Sequence, residues 1–96
     1  MSSDKWLEKT VELKDKEKLH LRPTSKIVET ASKFDAQMQF TIGEEVWNPK
    51  SIMDMLMFSA ALVSSSQNSF NVKALGTDAE AAIQGIEELI NKGLFD

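Results

Sequence analysis

The chain has 96 residues, a length typical of one compact domain, and its 42% hydrophobic content excludes a disordered or fibrous chain. Because it contains no cysteine and one histidine, it can form neither a disulfide nor a cysteine-based metal site, and we expect no metal and no bound cofactor. A net charge of −4 argues against a nucleic-acid binder, which needs a basic face for the phosphates.

The first third of the chain predicts a strand followed by a helix. Apolar residues fall on alternate positions along 7–13, with Lys9 as the exception, which indicates a strand with one buried face; a charged turn follows at 14–18. From Thr24 the apolar spacing becomes helical, and Pro23 fits the first turn of a helix, where its missing N–H costs nothing. The apolar stripe of this helix consists of Ile27, Val28, Ala31 and Phe34.

The middle of the chain predicts a hairpin and a second helix. Apolar and polar residues alternate over 38–42, a turn follows at 43–45, and 46–48 is long enough for a short return strand. Ser51 and Asp54 have the spacing of a helix cap. One face of the helix that follows would hold Ile52, Met55, Leu56 and Ser59. The other face is also apolar, at Met53, Met57 and Phe58. This helix is therefore either buried on all sides or leaves an apolar surface exposed.

The last third of the chain predicts a strand and a third helix after a polar loop at 64–69. The strand covers 70–74, where apolar residues alternate. Thr77 or Asp78 would cap the helix, which Lys92 and Gly93 would close. Its apolar stripe consists of Ala79, Ala82, Ile83, Ile86, Leu89 and Ile90.

These elements follow the order βαββαβα. Short connections and helices on one face only make this an α+β fold, an open-faced β-sandwich with three helices on one face of a four-stranded antiparallel sheet. The longest apolar run is far shorter than the roughly 20 residues of a membrane helix, and the start of the chain has no signal-peptide pattern. We therefore expect a single cytoplasmic domain over residues 1–96 that does not bind a membrane.

His20 and Arg22 form the candidate chemical site. Residues 1–33 carry a net charge of +2 and residues 34–96 a net charge of −6, so His20 lies in the positive part of the chain. It also lies at the start of a predicted helix, whose free N–H groups attract anions, phosphate above all. The same field disfavours the imidazolium and leaves a neutral, nucleophilic ring, while Arg22 could hold phosphoryl oxygens. A lone histidine at a helix start is also common as a cap or a surface residue, so both interpretations stay open on spacing alone.

Three blocks of the sequence are similar to one known family. The segment 19–36, which contains His20, resembles the active-site region of HPr, the histidine-containing phosphocarrier of the bacterial phosphotransferase system. The segment 48–56 resembles that family's regulatory-serine segment, at the family's distance from the histidine, and 74–83 resembles its last strand and last helix. The resemblance covers nearly the whole chain from Leu13 onward and implies the same open-faced β-sandwich.

The resemblance implies a role for each matching residue. His20 would accept a phosphoryl group from enzyme I, at the expense of phosphoenolpyruvate, and pass it to a histidine of an enzyme II A domain during sugar uptake. Arg22 would steady the phosphohistidine. Ser51 would be the serine that a dedicated kinase phosphorylates, and this phosphorylation would damp carrier function. A phosphorylase would remove the phosphate. We expect a monomeric carrier that works as an intermediate between proteins, and not as a stand-alone enzyme.

The family's partners bind over the starts of the first two helices, which defines an expected docking surface. The matching residues are Thr24, Lys26, Ile52, Met53 and Leu56. Methionine side chains such as that of Met53 adapt to several partners. We expect Met55, in contrast, to lie in the core.

The chain departs from the family pattern at a few positions. Lys18 and Leu21 stand where the family usually has glycine and alanine, and Thr24 replaces another common alanine. The stretch from Ala61 to Ser69 contains no glycine and is about four residues longer than the family pattern. The added residues either extend the second helix or lengthen the loop after it.

Two alternative functions remain beside sugar uptake. One is a regulatory paralogue, for example in a nitrogen-related branch, that uses the same His20 chemistry with other partners. The other is an HPr-like binding module that keeps the fold but transfers no phosphate. The presence of both His20 and Arg22 argues against the second alternative, since a pure binder needs neither.

Overall fold

Within the residues that the structure describes, four strands and three helices follow one another in the predicted order. The computed structural model describes residues 5–13 and 21–92, with 21–23 described as backbone only, so the predicted turn at 14–18 and His20 lie outside the described residues. The elements are β1 (Leu7–Glu12), α1 (Leu21–Ala31), β2 (Gln37–Ile42), β3 (Glu45–Trp47), α2 (Ile52–Ser64), β4 (Ser69–Leu75) and α3 (Ala79–Asn91).

All strand pairs of the sheet are antiparallel, and the strand order is β1-β4-β2-β3. The last strand therefore lies in the centre, with Val72 opposite both Lys9 of β1 and Phe40 of β2. Alternate residues of β4 are buried, and the helices pack on that face of the sheet. The predicted α+β open-faced sandwich is confirmed.

An aromatic cluster from four different elements forms the centre of the core. Phe58 of α2 packs edge-on against Phe40 of β2 and Phe70 of β4, with ring centroids 5.1 and 4.9 Å apart. Trp47 of β3 lies 5.6 Å from the same ring. The cluster joins α2 to three of the four strands. The α3 side of the core contains most of the predicted stripe, with Ala79, Ala82, Ile83, Ile86 and Ile90 buried.

One side of helix α2 is buried and the other is exposed. Its buried residues are Met55, Phe58, Ser59 and Leu62, whereas Ile52 and Leu56, predicted on one face with Met55, are exposed. Two possibilities were predicted for α2, burial on all sides or an exposed apolar surface. The structure contains the second. Tertiary contacts decide which side is buried, since both sides of the helix are apolar. The ring of Phe58 is the one that packs among the aromatic side chains of the strands.

The added residues after Leu56 extend the second helix. α2 continues to Ser64, and only 65–68 connect it to β4. The backbone N–H of Ser65 donates to the carbonyl of Leu62 and closes the last turn. Of the two possibilities that the long Ala61–Ser69 segment left open, the structure contains the longer helix.

The connection between α1 and β2 is held by Asp78. One carboxylate oxygen of Asp78 accepts a hydrogen bond from the Asp35 N–H and the other from the Ala36 N–H, each at 2.8 Å. Asp78 lies at the N-cap position of α3, one of the two positions predicted, but its side chain makes no capping hydrogen bond. Next to it, Gly76 has φ +144° and a Cβ there would lie 3.1 Å from the Ala36 Cα, so this close approach requires glycine.

Asp78→Asn is expected to lower the free energy of unfolding by about 1–2 kcal/mol, because one of the two N–H groups loses its acceptor. Urea unfolding followed by circular dichroism measures the change. Glu80→Gln is the matched control, since Glu80 is an exposed acid in the first turn of the same helix and makes neither of these bonds. Equal losses in both variants would attribute the effect to helix charge alone and contradict the role of the two hydrogen bonds.

Candidate functional site

The start of α1 is the position at which the sequence predicted phosphoryl chemistry. α1 begins at Leu21, the residue that directly follows His20, and therefore begins three residues earlier than the predicted Thr24. Arg22 is the second residue of the helix and Pro23 lies in its first turn. His20 is outside the described residues, and the backbone alone is described for Arg22. The first helix therefore begins at the residue that follows the histidine in the sequence.

Two docking residues predicted on α1 have different environments. Thr24 is only 1% exposed, so its side chain lies inside the protein and differs from the expectation that it belongs to a docking surface. Its position is three residues before the buried Ile27, on the inner stripe of α1. Lys26 is exposed and lies 3.9 Å from Glu29 in a weak surface ion pair. Lys26 is therefore accessible to a partner, and Thr24 is not.

Ser51 lies at the N-cap of α2, as its spacing to Asp54 predicted. Its extended backbone turns the chain into the helix, and its Oγ accepts a hydrogen bond from the Asp54 N–H at 3.2 Å. The Ser51 N–H donates to the carbonyl of Asn48 at 3.0 Å, which makes a tight turn before the helix. Ser51 is partly exposed. Its hydroxyl group thus lies at the start of a helix whose first N–H groups favour an anion.

Two further side chains hold the turn before α2. The Asp54 carboxylate accepts a hydrogen bond from the Asn48 N–H at 2.8 Å. The Lys50 ammonium donates to the carbonyl of Phe34 at 2.7 Å, just after the end of α1. Because α1 and α2 also pack against each other, the start of α2 and the end of α1 form one connected structure. The sequence pattern contained no signal for the Lys50 contact, since it joins segments 16 residues apart.

The outer side of α2 presents an apolar surface. Met53 is 66% and Met57 54% exposed, whereas Met55 is fully buried, as predicted. Asp54 is the only charged residue on this helix. We call the exposed residues the α2 surface; they are Ile52, Met53, Leu56, Met57 and Val63. Three of the five, at the start of the helix, were predicted as docking residues, and Met57 and Val63 extend the surface toward its end.

A groove of about 410 Å³ lies behind the start of α2. Its lining includes Trp6, Gln39 and Val46, and it reaches Lys50 and Asp54. The sequence pattern did not indicate Trp6, Gln39 or Val46 as site residues.

In the part of the chain that the structure describes, no three acidic, histidine or cysteine side chains are grouped as metal ligands. None of the described helices has the length and apolarity needed to cross a membrane.

Comparison with known proteins connects this arrangement to one family. The family model described as PTS HPr component phosphorylation site matches residues 7–92. Phosphocarrier protein HPr of Haloferax volcanii is 34% identical over 91 residues, which cover 88% of this chain and 93% of that protein.

Solved structures agree with the sequence comparison. The crystal structure of HPr-C-His from Thermoanaerobacter tengcongensis has a TM-score of 0.74 and 37% sequence identity, and covers 93% of this chain and 94% of its own. A crystal structure of an HPr dimer from the same organism has a TM-score of 0.64 and 34% identity, and covers 88% of this chain and 92% of its own. The similarity therefore extends over nearly all of both chains.

Proposed function

Because this chain belongs to the HPr family of phosphocarrier proteins of the phosphotransferase system, we propose that His20 carries a phosphoryl group between a donor and an acceptor protein. The observation that carries the proposal is the match of residues 7–92 to the phosphorylation-site family. A helix that begins at Leu21 supports it, because the positive end of its dipole stabilises an anion near the preceding residue.

The proposed reaction is an exchange of one N–P bond for another. The unprotonated ring nitrogen of His20 attacks the phosphorus of a phosphohistidine on enzyme I. The N–P bond to the donor breaks, its electron pair returns to the donor imidazole, and a new N–P bond forms on His20. The same exchange, with His20 now as the leaving group, passes the phosphoryl group to a histidine of an enzyme II A domain. No water takes part, so the partner must exclude it.

Arg22 is the residue that would hold the transferred group. A guanidinium offers a planar fork of donors that fits phosphoryl oxygens and keeps its charge at any physiological pH. Its position two residues after His20, in the first turn of α1, adds this charge to that of the helix start. Arg22 would therefore stabilise the phosphohistidine without taking part in bond making or breaking.

The proposed docking surface combines Lys26 with the start of the α2 surface. Ile52, Met53 and Leu56 are exposed apolar side chains on a helix whose only charge is Asp54. A carrier must bind several partners in turn and release each one quickly, which suits a small surface with adaptable methionines. We propose that enzyme I and the enzyme II A domains bind here, and that the chain acts as a monomer in the cytoplasm.

Ser51 is the proposed regulatory site. Its hydroxyl is partly exposed at the N-cap of α2, next to Ile52 and Met53 of the docking surface. A phosphate placed there by a serine kinase would add about 1.5–2 negative charges beside apolar contacts. That charge would oppose the binding of a partner and damp transfer until a phosphorylase removes it.

Phosphohistidine formation tests the proposed function. Incubation with enzyme I and labelled phosphoenolpyruvate should place one acid-labile, base-stable phosphate on the chain, and His20→Ala should abolish it because the chain has no other imidazole. Ser51→Ala is the matched control and should be labelled like the unmodified protein. An unlabelled protein, or a label that survives His20→Ala, would reject the carrier function and leave a binding module.

A further inference from the structure

The first turn of α2 already contains a negatively charged residue, Asp54, whose backbone N–H binds the Ser51 hydroxyl that would carry the phosphate. We propose that Asp54 makes phosphorylation of Ser51 destabilise the start of α2, although a phosphate at a helix N-terminus ordinarily stabilises a helix. The inference rests on the regulatory role of Ser51 proposed above. It concerns how that modification acts on the fold.

The hydrogen bonds around Ser51 bring its hydroxyl group close to Asp54. The Ser51 Oγ, the atom that would carry the phosphate, accepts the Asp54 N–H at 3.2 Å. The Asp54 side chain turns back over the same turn, and its carboxylate accepts the Asn48 N–H at 2.8 Å. Phosphate and carboxylate would therefore share the first turn of one helix.

Two like charges within one helical turn, whose pitch is about 5.4 Å, repel each other even in physiological salt, where the Debye length is about 8 Å. The basic residue adjacent to Ser51 in the chain does not offset this repulsion. The Lys50 ammonium is partly buried and donates to the Phe34 carbonyl at 2.7 Å, on the α1 side of the contact. Drawing Lys50 toward the phosphate would break that bond. That bond is one of the contacts that hold the turn before α2.

The expected response is displacement of the Asp54 carboxylate. Its departure leaves the Asn48 N–H without its side-chain acceptor and loosens the turn that leads into α2. Ile52 and Met53, which follow Ser51 in the chain, belong to the proposed docking surface. Phosphorylation would then act on docking in two ways, by adding charge and by loosening the helix start that presents the apolar side chains.

Thermal unfolding of the protein with phosphoserine installed at position 51 by genetic encoding tests this inference. In the unmodified background, phosphoserine is expected to lower the Tm by about 4–8 °C, the shift that corresponds to 1 kcal/mol in a domain of this size. In Asp54→Asn, which keeps an oxygen acceptor for Asn48, phosphoserine should leave the Tm unchanged or raise it. Each shift is taken relative to the serine form of the same background.

The matched control is the Glu80→Gln background, which removes an acid from the first turn of α3 instead. There phosphoserine should lower the Tm as in the unmodified background. The difference between the unmodified and Asp54→Asn backgrounds should shrink when NaCl is raised to 1 M, where the Debye length is about 3 Å. Faster amide exchange at residues 52–54 in the phosphoserine protein would locate the loosening.

A phosphoserine that raises the Tm equally in both backgrounds would overturn the inference. So would a decrease that Asp54→Asn does not relieve. These outcomes are independent of the carrier function, because the phosphate is installed without a kinase and no partner is present. Loss of His20 labelling, conversely, would reject the carrier function and leave the Tm comparison unaffected.

Discussion

Phe58→Ala is expected to lower the free energy of unfolding by about 3–5 kcal/mol, since removal of a buried ring loses its burial and leaves a cavity. The Phe58 side chain is 1% exposed, and its ring contacts those of Phe40, Phe70 and Trp47. Because α2 reaches the sheet through this cluster, few neighbours can move to fill the space. Such a loss is a large part of the roughly 5–15 kcal/mol that stabilises a domain.

Met57→Ala is the matched control for Phe58→Ala. Met57 is the preceding residue of the same helix and belongs to the exposed α2 surface, so its loss should change stability by less than about 0.5 kcal/mol. Urea unfolding with a common m-value measures both variants. If the two substitutions cost the same, the burial assigned to the two faces of α2 would be wrong.

Met53→Glu is expected to raise the KM for phosphotransfer from enzyme I by about 10- to 100-fold, the effect of losing a central apolar contact and burying a charge. Met53 is the most exposed large apolar residue among those that the structure describes, and it lies next to the Ser51 cap. A glutamate near the start of a helix is compatible with its dipole, so the fold should be retained. The labelling assay, run at increasing carrier concentration, measures the change.

Val63→Glu is the matched control for Met53→Glu. It introduces the same charge on the same α2 surface, about 15 Å farther along a helix that rises 1.5 Å per residue. Its KM is expected to stay within about twofold of the unmodified protein, once circular dichroism shows that both variants are folded. Equal losses in the two variants would contradict a docking surface confined to the start of α2.

Much of the fold could be predicted because the periods of apolar residues differ between strands and helices. The alternation in 70–74 and the helical stripe in 79–90 appear in the structure with the predicted residues buried, apart from the half-buried Leu89. The cap at Ser51 was also predictable, since a hydroxyl three residues before an acid is a local pattern. Such signals depend on residues close together in the chain.

The phase of α2 could not be predicted from its sequence. Both sides of this helix are apolar, so the period alone does not distinguish the buried Phe58 from the exposed Met57. The docking role of Thr24 was carried over from the family pattern, although its spacing to Ile27 and Ala31 places it on the inner stripe of α1. The helical spacing alone therefore indicated that Thr24 is buried.

The sequence by itself determined the order of strands and helices, the family, and the position of His20 and Ser51 at two predicted helix starts. Only the tertiary structure decided that the last strand lies in the centre of the sheet, that the Asp78 side chain binds residues 35 and 36 and not the start of α3, and that α2 exposes Met53 and Met57. The physical reason is the same in each case. Strand order, the acceptors of distant N–H groups and the buried face of a uniformly apolar helix depend on contacts between segments far apart in the chain.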